Sequence, residues 1–366
     1  GQYDFEINAK CAIQLSFKVD NSQAVDQIIR SLQKKVIGLH IKLDKSKNKL
    51  LYTKDLAPII KIPNSNNLID STTLFARSSQ INPFNRFAQI GYNDDTVILN
   101  ISHAMSDGGH FKYITEHIFD DHNIDIPKHF PYTVQDLFSQ QYLMSPSNIP
   151  FWDTNPNISR IISSRTDQLI KSNEVEYITI RMHSNKFQSY SQSKKKLNSF
   201  TGSLLSSLFI SHVIHTQNHF DQHYFPRSTC IPTCIDFRRY LNTLNYSICS
   251  LYSTVFPSAN VTPKMSIQQL SELLKNDIDK RMKNGEDFGF MKTLDNLTES
   301  SYAKNEIQKV GLELTYVGPV KIQKPIKDIF MNLSMLPEYT ETILSLMGFA
   351  VCGNDLNDVI LRLRYS

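Results

Sequence analysis

Hydrophobic and polar positions change period several times along the chain, and each change marks an element. Cys11 to Val19 alternates, the pattern of a strand with one face in a core. Asn21 or Ser22 then stands where a helix cap belongs. Val25, Ile28, Ile29, Leu32 and Val36 follow at three- and four-residue spacing, which predicts a helix with one apolar face. Ile41 and Leu43, then Leu50 to Tyr52 across a Lys/Asn turn, predict a hairpin. Thr96-Val97-Ile98-Leu99-Asn100-Ile101 is rich in β-branched residues and predicts a buried strand.

Between Ser145 and Pro156 the periodicity stops. Pro146, Pro150 and Pro156 punctuate the stretch around the single tryptophan, Trp152. This predicts a crossover linker at 151–173 between an N-terminal lobe (1–150) and a C-terminal lobe (174–366). Glu174 to Met182 resumes as a strand. Asn198 or Ser199 can cap a helix with Leu204, Leu205, Leu208 and Phe209 on its apolar face. Cys230 to Phe237 predicts another strand. Pro263 suits a first helical turn, Ser266 with Gln269 spells a capping box, and Ile267, Leu270, Leu274 and Ile278 give the stripe. Ile343 to Val351, a turn at Gly353-Asn354-Asp355, and Val359 to Leu363 predict a closing hairpin. Strands and helices alternate in both halves, so the fold class is α/β with two lobes of similar make-up.

Composition narrows the function. With 366 residues, 40% of them apolar, the chain can bury a core without disulfide or metal staples. No apolar run approaches the ~20 residues of a membrane-spanning helix, so no integral membrane segment is expected. No basic segment leads into an apolar stretch at the start, and a cytoplasmic monomer is expected. The net charge of +4 comes from 39 basic and 35 acidic residues, too balanced for a nucleic-acid binder. Lys194-Lys195-Lys196 and the scatter at Lys45, Lys47 and Lys49 read as solvated loop lysines, or as contacts for an anionic ligand. The five cysteines are scattered, and Cys230 and Cys234 lack zinc spacing, so neither disulfides nor a metal site is expected.

The chemistry concentrates in one motif. His-x-x-x-Asp occurs at His40–Asp44, His103–Asp107 and His117–Asp121, but only the second is followed by glycine, as Gly108 and then Gly109. The six-residue pattern is expected by chance roughly 0.02 times in such a chain, so it carries information. A buried strand precedes it, and Phe111, Tyr113, Ile114 and Ile118 begin a helical stripe after it. A strand end before a tight loop projects one side chain into a cleft. A histidine there can take a proton near neutral pH. Asp107 can fold back to pin the loop, and the two glycines let the backbone turn tightly and leave room for a ligand.

The His103-to-Gly108 segment resembles the HxxxDG signature of the CoA-dependent acyltransferase superfamily. That group includes chloramphenicol acetyltransferase, plant BAHD acyltransferases, fungal alcohol and sphingoid-base acetyltransferases, and condensation domains of peptide synthetases. Ile235-Asp236-Phe237-Arg238 is similar to its second-lobe "VDLR" strand end, and Leu314 to Pro319 to its later "SNxG" or "DFGWG-P" strand. Asp287-Phe288-Gly289-Phe290 spells part of "DFGWG" but follows a helix, so the match is read as coincidental. Where many condensation domains carry a second histidine, this chain has Ser102, which points away from the peptide-synthetase branch. The general texture is nearest to the fungal alcohol or sphingoid-base acetyltransferases.

The resemblance implies two chloramphenicol-acetyltransferase-like lobes with a tunnel between them. It implies that His103 deprotonates an alcohol or amine acceptor, lipidic ones included, which attacks the thioester of acetyl-CoA or another acyl-CoA. Asp107, Gly108 and Arg238 would support the site, Arg238 as the partner of Asp107 in preference to Arg239. Ser253 and Thr254, in a strand-like segment of the second lobe, are the candidates for donating to the oxyanion. No cofactor-binding residues are assigned, and no metal or bound redox cofactor is called for. Two other functions fit the same residues: a non-catalytic binding or scaffold module, and a condensation enzyme that takes its donor from a phosphopantetheinyl carrier protein.

Overall fold

The computed structural model describes residues 11–44, 46, 49–65, 67–120, 131–147, 176–183, 227–242, 248–262, 264–296, 310–334 and 342–365. The linker at 151–173 with Trp152, the Lys194–Lys196 run, the helix expected after Ser199 and the Pro263 cap lie outside these residues.

The N-terminal lobe runs β1 (Ala12–Val19), α1 (Ser22–Lys35), β2 (Ile41–Asp44), β3 (Lys49–Tyr52), β4 (Ile59–Lys61), α2 (Leu68–Ser78), β5 (Ala88–Tyr92), β6 (Thr96–Ser102) and α3 (Gly108–Glu116). Asn21 caps α1 by accepting from the Ala24 N–H at 3.0 Å. The predicted stripe of Val25, Ile28, Ile29 and Leu32 is buried. It packs with Ile13, Leu15 and Phe17 of β1 and with Phe111 and Ile114 of α3 in the largest core.

The opposite face of β1 is also buried, and it is polar. Register places Gln14 between Asn100 of β6 and Asn332 of the strand on its other side. Gln14 Nε2 donates to Asn100 Oδ1 at 2.9 Å, and Asn332 Nδ2 donates to Gln14 Oε1 at 2.7 Å. This amide ladder satisfies groups that would otherwise be costly to bury, and a slip by one residue would break it.

After the short helices α4 (Val134–Leu137) and α5 (Ser139–Met144), the chain runs through β7 (Glu176–His183), β8 (Arg227–Cys230), β9 (Thr233–Asp236), β10 (Tyr252–Val255), β11 (Ser258–Val261), α6 (Ile267–Lys283), α7 (Glu286–Asn296), β12 (Val310–Lys321), β13 (Ile326–Ser334), β14 (Thr342–Gly353) and β15 (Leu356–Tyr365). The Ser266–Gln269 capping box opens α6. The closing hairpin turns through Asn354 and Asp355, at φ of 49° and 67°, the left-handed pair that a two-residue hairpin needs.

Two sheets dominate. One has the order β13-β1-β6-β5-β4, the other β10-β9-β12-β14-β15-β7. Two sequence expectations change here. The strand expected at Cys230–Phe237 is two strands, because Pro232 has no N–H to give a ladder; β8 pairs with β11, and β9 pairs with β10. The lobes are also not cut cleanly at 174, since β13 leaves the C-terminal part and completes the first sheet beside β1.

Candidate active site at the lobe junction

β6 ends at Ser102, and a 3₁₀ turn from His103 to Met105 carries the chain toward α3. The His103 N–H donates to the Cys11 carbonyl at 2.9 Å, which fixes the turn to the start of the first strand. The imidazole is half-buried and lies 4.8 Å, ring to ring, from Tyr252 of β10 in the second sheet. Among the described residues Nδ1 is buried with no hydrogen-bond partner, which leaves Nε2 as the ring nitrogen to test for contact with an incoming group.

Asp107 is buried and holds the loop from three sides. Oδ1 accepts from the His110 N–H at 2.8 Å, capping α3, and from Arg238 Nη1 at 2.8 Å. Oδ2 accepts from the Leu251 N–H at 2.6 Å. Burial pushes the Asp107 carboxyl up, but Arg238 and the two backbone amides outweigh it and hold the group below the usual carboxylate range. A charge shared this way joins the first lobe to both β10's approach and the Arg238 turn. At the other end of α3, Lys35 Nζ donates to the carbonyl of Ile118 at 2.9 Å, where the helix dipole favours a cation.

Arg238 sits on the 3₁₀ turn Phe237–Tyr240 that follows β9. Besides Asp107 it reaches Asp236 Oδ1 at 3.0 Å and the carbonyls of Ile248 at 3.1 Å and Cys249 at 3.0 Å. Burial would lower its pKa, yet the two carboxylates keep it raised, so it stays charged. Arg239 points elsewhere, to the Tyr240 hydroxyl and the Met282 sulfur.

The glycines have a different reason from the one the sequence suggested. Neither Gly108 nor Gly109 is left-handed. A Cβ on Gly108 would stand 2.6 Å from Val317 Cγ2, and one on Gly109 would stand 2.4 Å from Asp236 Oδ2 and 2.6 Å from Arg238 Nη1. They are small because the second lobe packs directly on the motif. Val317 belongs to the Leu314–Pro319 strand segment, which therefore meets the motif. Asp287 lies in the first turn of α7, with Oδ2 accepting from the Tyr240 hydroxyl at 3.0 Å.

The two oxyanion candidates part company. Alternation along β10 puts Tyr252 and Thr254 on one face and Ser253 on the other. The Ser253 hydroxyl donates to the Asp287 carbonyl at 2.6 Å, so its proton is committed away from His103. Thr254 is on the Tyr252 side, opposite Cys234 of β9. Sequence reasoning also missed Tyr252, which touches His103, and His110. The His110 ring is fully buried, with Ser106 Oγ 2.8 Å from Nδ1, and burial first and Arg238 second lower its pKa to about 3. The alternation of β10 was the signal for Tyr252; nothing in the sequence marked His110 as buried.

With this geometry in view, solved structures give the fold a place. The chain resembles polyketide synthase associated protein 5 from Mycobacterium tuberculosis, at TM-score 0.67 and 11% identity over 99% of this chain and 91% of that one. It resembles the condensation domain of the Monacolin K polyketide synthase MokA, at TM-score 0.62 and 9% identity over 100% of this chain and 90% of that one. It also resembles the epimerization domain from the third module of tyrocidine synthetase B, at 0.58 and 11% over 97% and 85%. The fold is the two-lobed, chloramphenicol-acetyltransferase-like one. No family model and no curated protein matches the sequence. Among the described residues no helix is long and apolar enough to cross a membrane.

Proposed function

We propose that the chain transfers an acyl group from a pantetheine thioester to a hydroxyl or amine, with His103 as general base. The observation that carries the reading is the half-buried imidazole beside Tyr252 of the second sheet, on a turn clamped through Asp107 to Arg238. Nε2 takes the proton of the acceptor as its oxygen or nitrogen attacks the thioester carbonyl. The tetrahedral intermediate collapses, the C–S bond breaks, and the imidazolium returns the proton to the leaving thiolate. Thr254 is the proposed donor to the oxyanion.

The form of the donor is the finer question. The neighbours with the same fold are a polyketide-synthase-associated protein and domains of peptide and polyketide synthetases. They support a donor presented by a carrier protein over free acetyl-CoA. The free acyl-CoA reading, with an alcohol acceptor as in the fungal acetyltransferases, keeps one observation: Ser102 stands where amide-forming condensation domains carry a second histidine. Transfer from matched acetyl-phosphopantetheinyl carrier protein and acetyl-CoA to a panel of alcohols and amines decides between them. A rate at least tenfold higher with the carrier is expected. Turnover with CoA alone would reverse the assignment, and no transfer from either, alongside tight calorimetric binding of a protein partner, would make the chain a binding module.

A further inference from the structure

The hairpin of β2 and β3 lies away from the catalytic motif and carries a surface that acyl transfer does not use. Its register pairs Lys42 with Leu51, Leu43 with Leu50 and Asp44 with Lys49. Leu43 and Leu50 pack against the main core. Alternation then turns Lys42, Asp44, Lys49 and Leu51 outward. The Leu43 N–H donates to the Pro83 carbonyl at 2.8 Å, which brings Phe84 beside β2. Arg86 Nη2 donates to the Asp55 carbonyl at 2.8 Å, which ties that turn to Lys54 and Leu56. Ile59 and Lys61 continue the surface along β4, an edge of the first sheet.

Four large apolar side chains stand open on it: Leu51 at 37%, Leu56 at 46%, Ile59 at 41% and Phe84 at 43% exposure. Around them lie Lys42, Lys49, Lys54, Lys61 and Arg86. The carboxylates on the same segments are Asp44, which stands opposite Lys49 and accepts from the N–H and hydroxyl of Ser46 at 2.9 and 2.7 Å, and Asp55, so basic side chains outnumber acidic ones. Separate apolar tips ringed by an excess of basic side chains suit one kind of partner. Lysine is depleted in protein–protein interfaces, whose energetic centres favour arginine and large aromatics. Lysine clusters beside apolar side chains suit an anionic bilayer, where long stems keep the ammonium at the phosphates while the apolar tips enter the acyl boundary.

We infer that this surface docks the protein on membranes containing anionic phospholipid. The inference is independent of the reaction proposed above. Sedimentation of the full chain with vesicles of phosphatidylcholine alone, and with about 30% phosphatidylserine (a composition in the range where surface potential matters), tests it. Binding to the anionic vesicles, weakened by salt, is expected. Each lysine near such a surface contributes roughly a fivefold factor, so the Lys42→Gln, Lys49→Gln, Lys54→Gln triple variant should bind about 100-fold more weakly. The variant Lys264→Gln, Lys280→Gln, Lys283→Gln has the same net charge and should bind within about twofold of wild type on the same reasoning. Leu51→Ser with Phe84→Ser should weaken binding without altering charge. Equal loss in the two lysine variants, equal binding to both vesicle types, or no binding at all would overturn the inference. So would unchanged binding by the apolar variant.

Discussion

Asp107→Asn separates the structural job of the aspartate from the proton chemistry of the histidine. The carboxylate accepts three bonds from fixed donors: the His110 and Leu251 N–H groups and Arg238 Nη1. An asparagine keeps one acceptor oxygen. If that oxygen faces His110 and Arg238, the amide nitrogen meets the Leu251 N–H, donor against donor. An unsatisfied buried donor costs about 1–3 kcal/mol. Arg238 also loses the one counter-charge that is fully buried among the described residues, and breaking a buried pair costs about 3–5 kcal/mol. Asp236 remains on Arg238 at 3.0 Å, but its side chain is about half exposed, so the relief is partial. Because the two costs overlap on one side chain and Asp236 gives partial relief, the net loss should be about 3–5 kcal/mol. A domain is stable by about 5–15 kcal/mol, so the effect is easily measured. Urea unfolding should show a lower midpoint at unchanged slope. The pH–rate profile for transfer should fall in height and keep the position of its acid limb. Full stability, or a displaced limb at normal height, would refute the reasoning.

Other consequences follow from the same contacts. The His110 ring has a folded-state pKa near 3 against ~6.5 in the unfolded chain. The unfolded state therefore binds the extra proton first, so stability is level above about pH 6.5 and falls toward pH 3 by up to about 1.4 kcal/mol per unit. His110→Gln should flatten that slope in unfolding measured at several pH values, and an unchanged slope would refute the assignment. Gly108→Ala drives a Cβ to 2.6 Å from Val317 Cγ2 and should cost about 1–3 kcal/mol, with most of it recovered by adding Val317→Ala. A double variant no better than the single would mean that the clash is not the cause. Thr254→Val should lower kcat by about 10²-fold if its hydroxyl meets the oxyanion, whereas Ser253→Ala should lower stability and leave kcat near wild type. The reverse outcome would exchange the two roles.

The local elements were readable because their signals are local. Asn21 before a three-four stripe, Ser266 with Gln269, and a β-branched run before the motif each describe an element within a few residues. The likeness of Ile235–Arg238 to a strand end pointed to Arg238, which the structure brings to Asp107. What could not be read depends on pairings far apart in the chain. Gln14 meets Asn332, and β13 joins the first sheet, across more than three hundred residues. The reason for Gly108 and Gly109 was hidden for the same cause: Val317, Asp236 and Arg238 come from the other half of the chain. Ser253 and Thr254 were indistinguishable until Tyr252 fixed which face of β10 meets His103. Pro232 did carry a local warning, since a proline within a strand pattern argues for a break.

The proposed reaction needs His103, at the end of β6, to act as the base. Single-turnover transfer from the better acyl donor, with wild type and His103→Ala at equal concentration and with folding checked by circular dichroism, tests it most directly. A fall in rate of about 10²–10⁴, with the donor still bound, is the predicted result for loss of a general base. An alanine variant that transfers at the wild-type rate would contradict it.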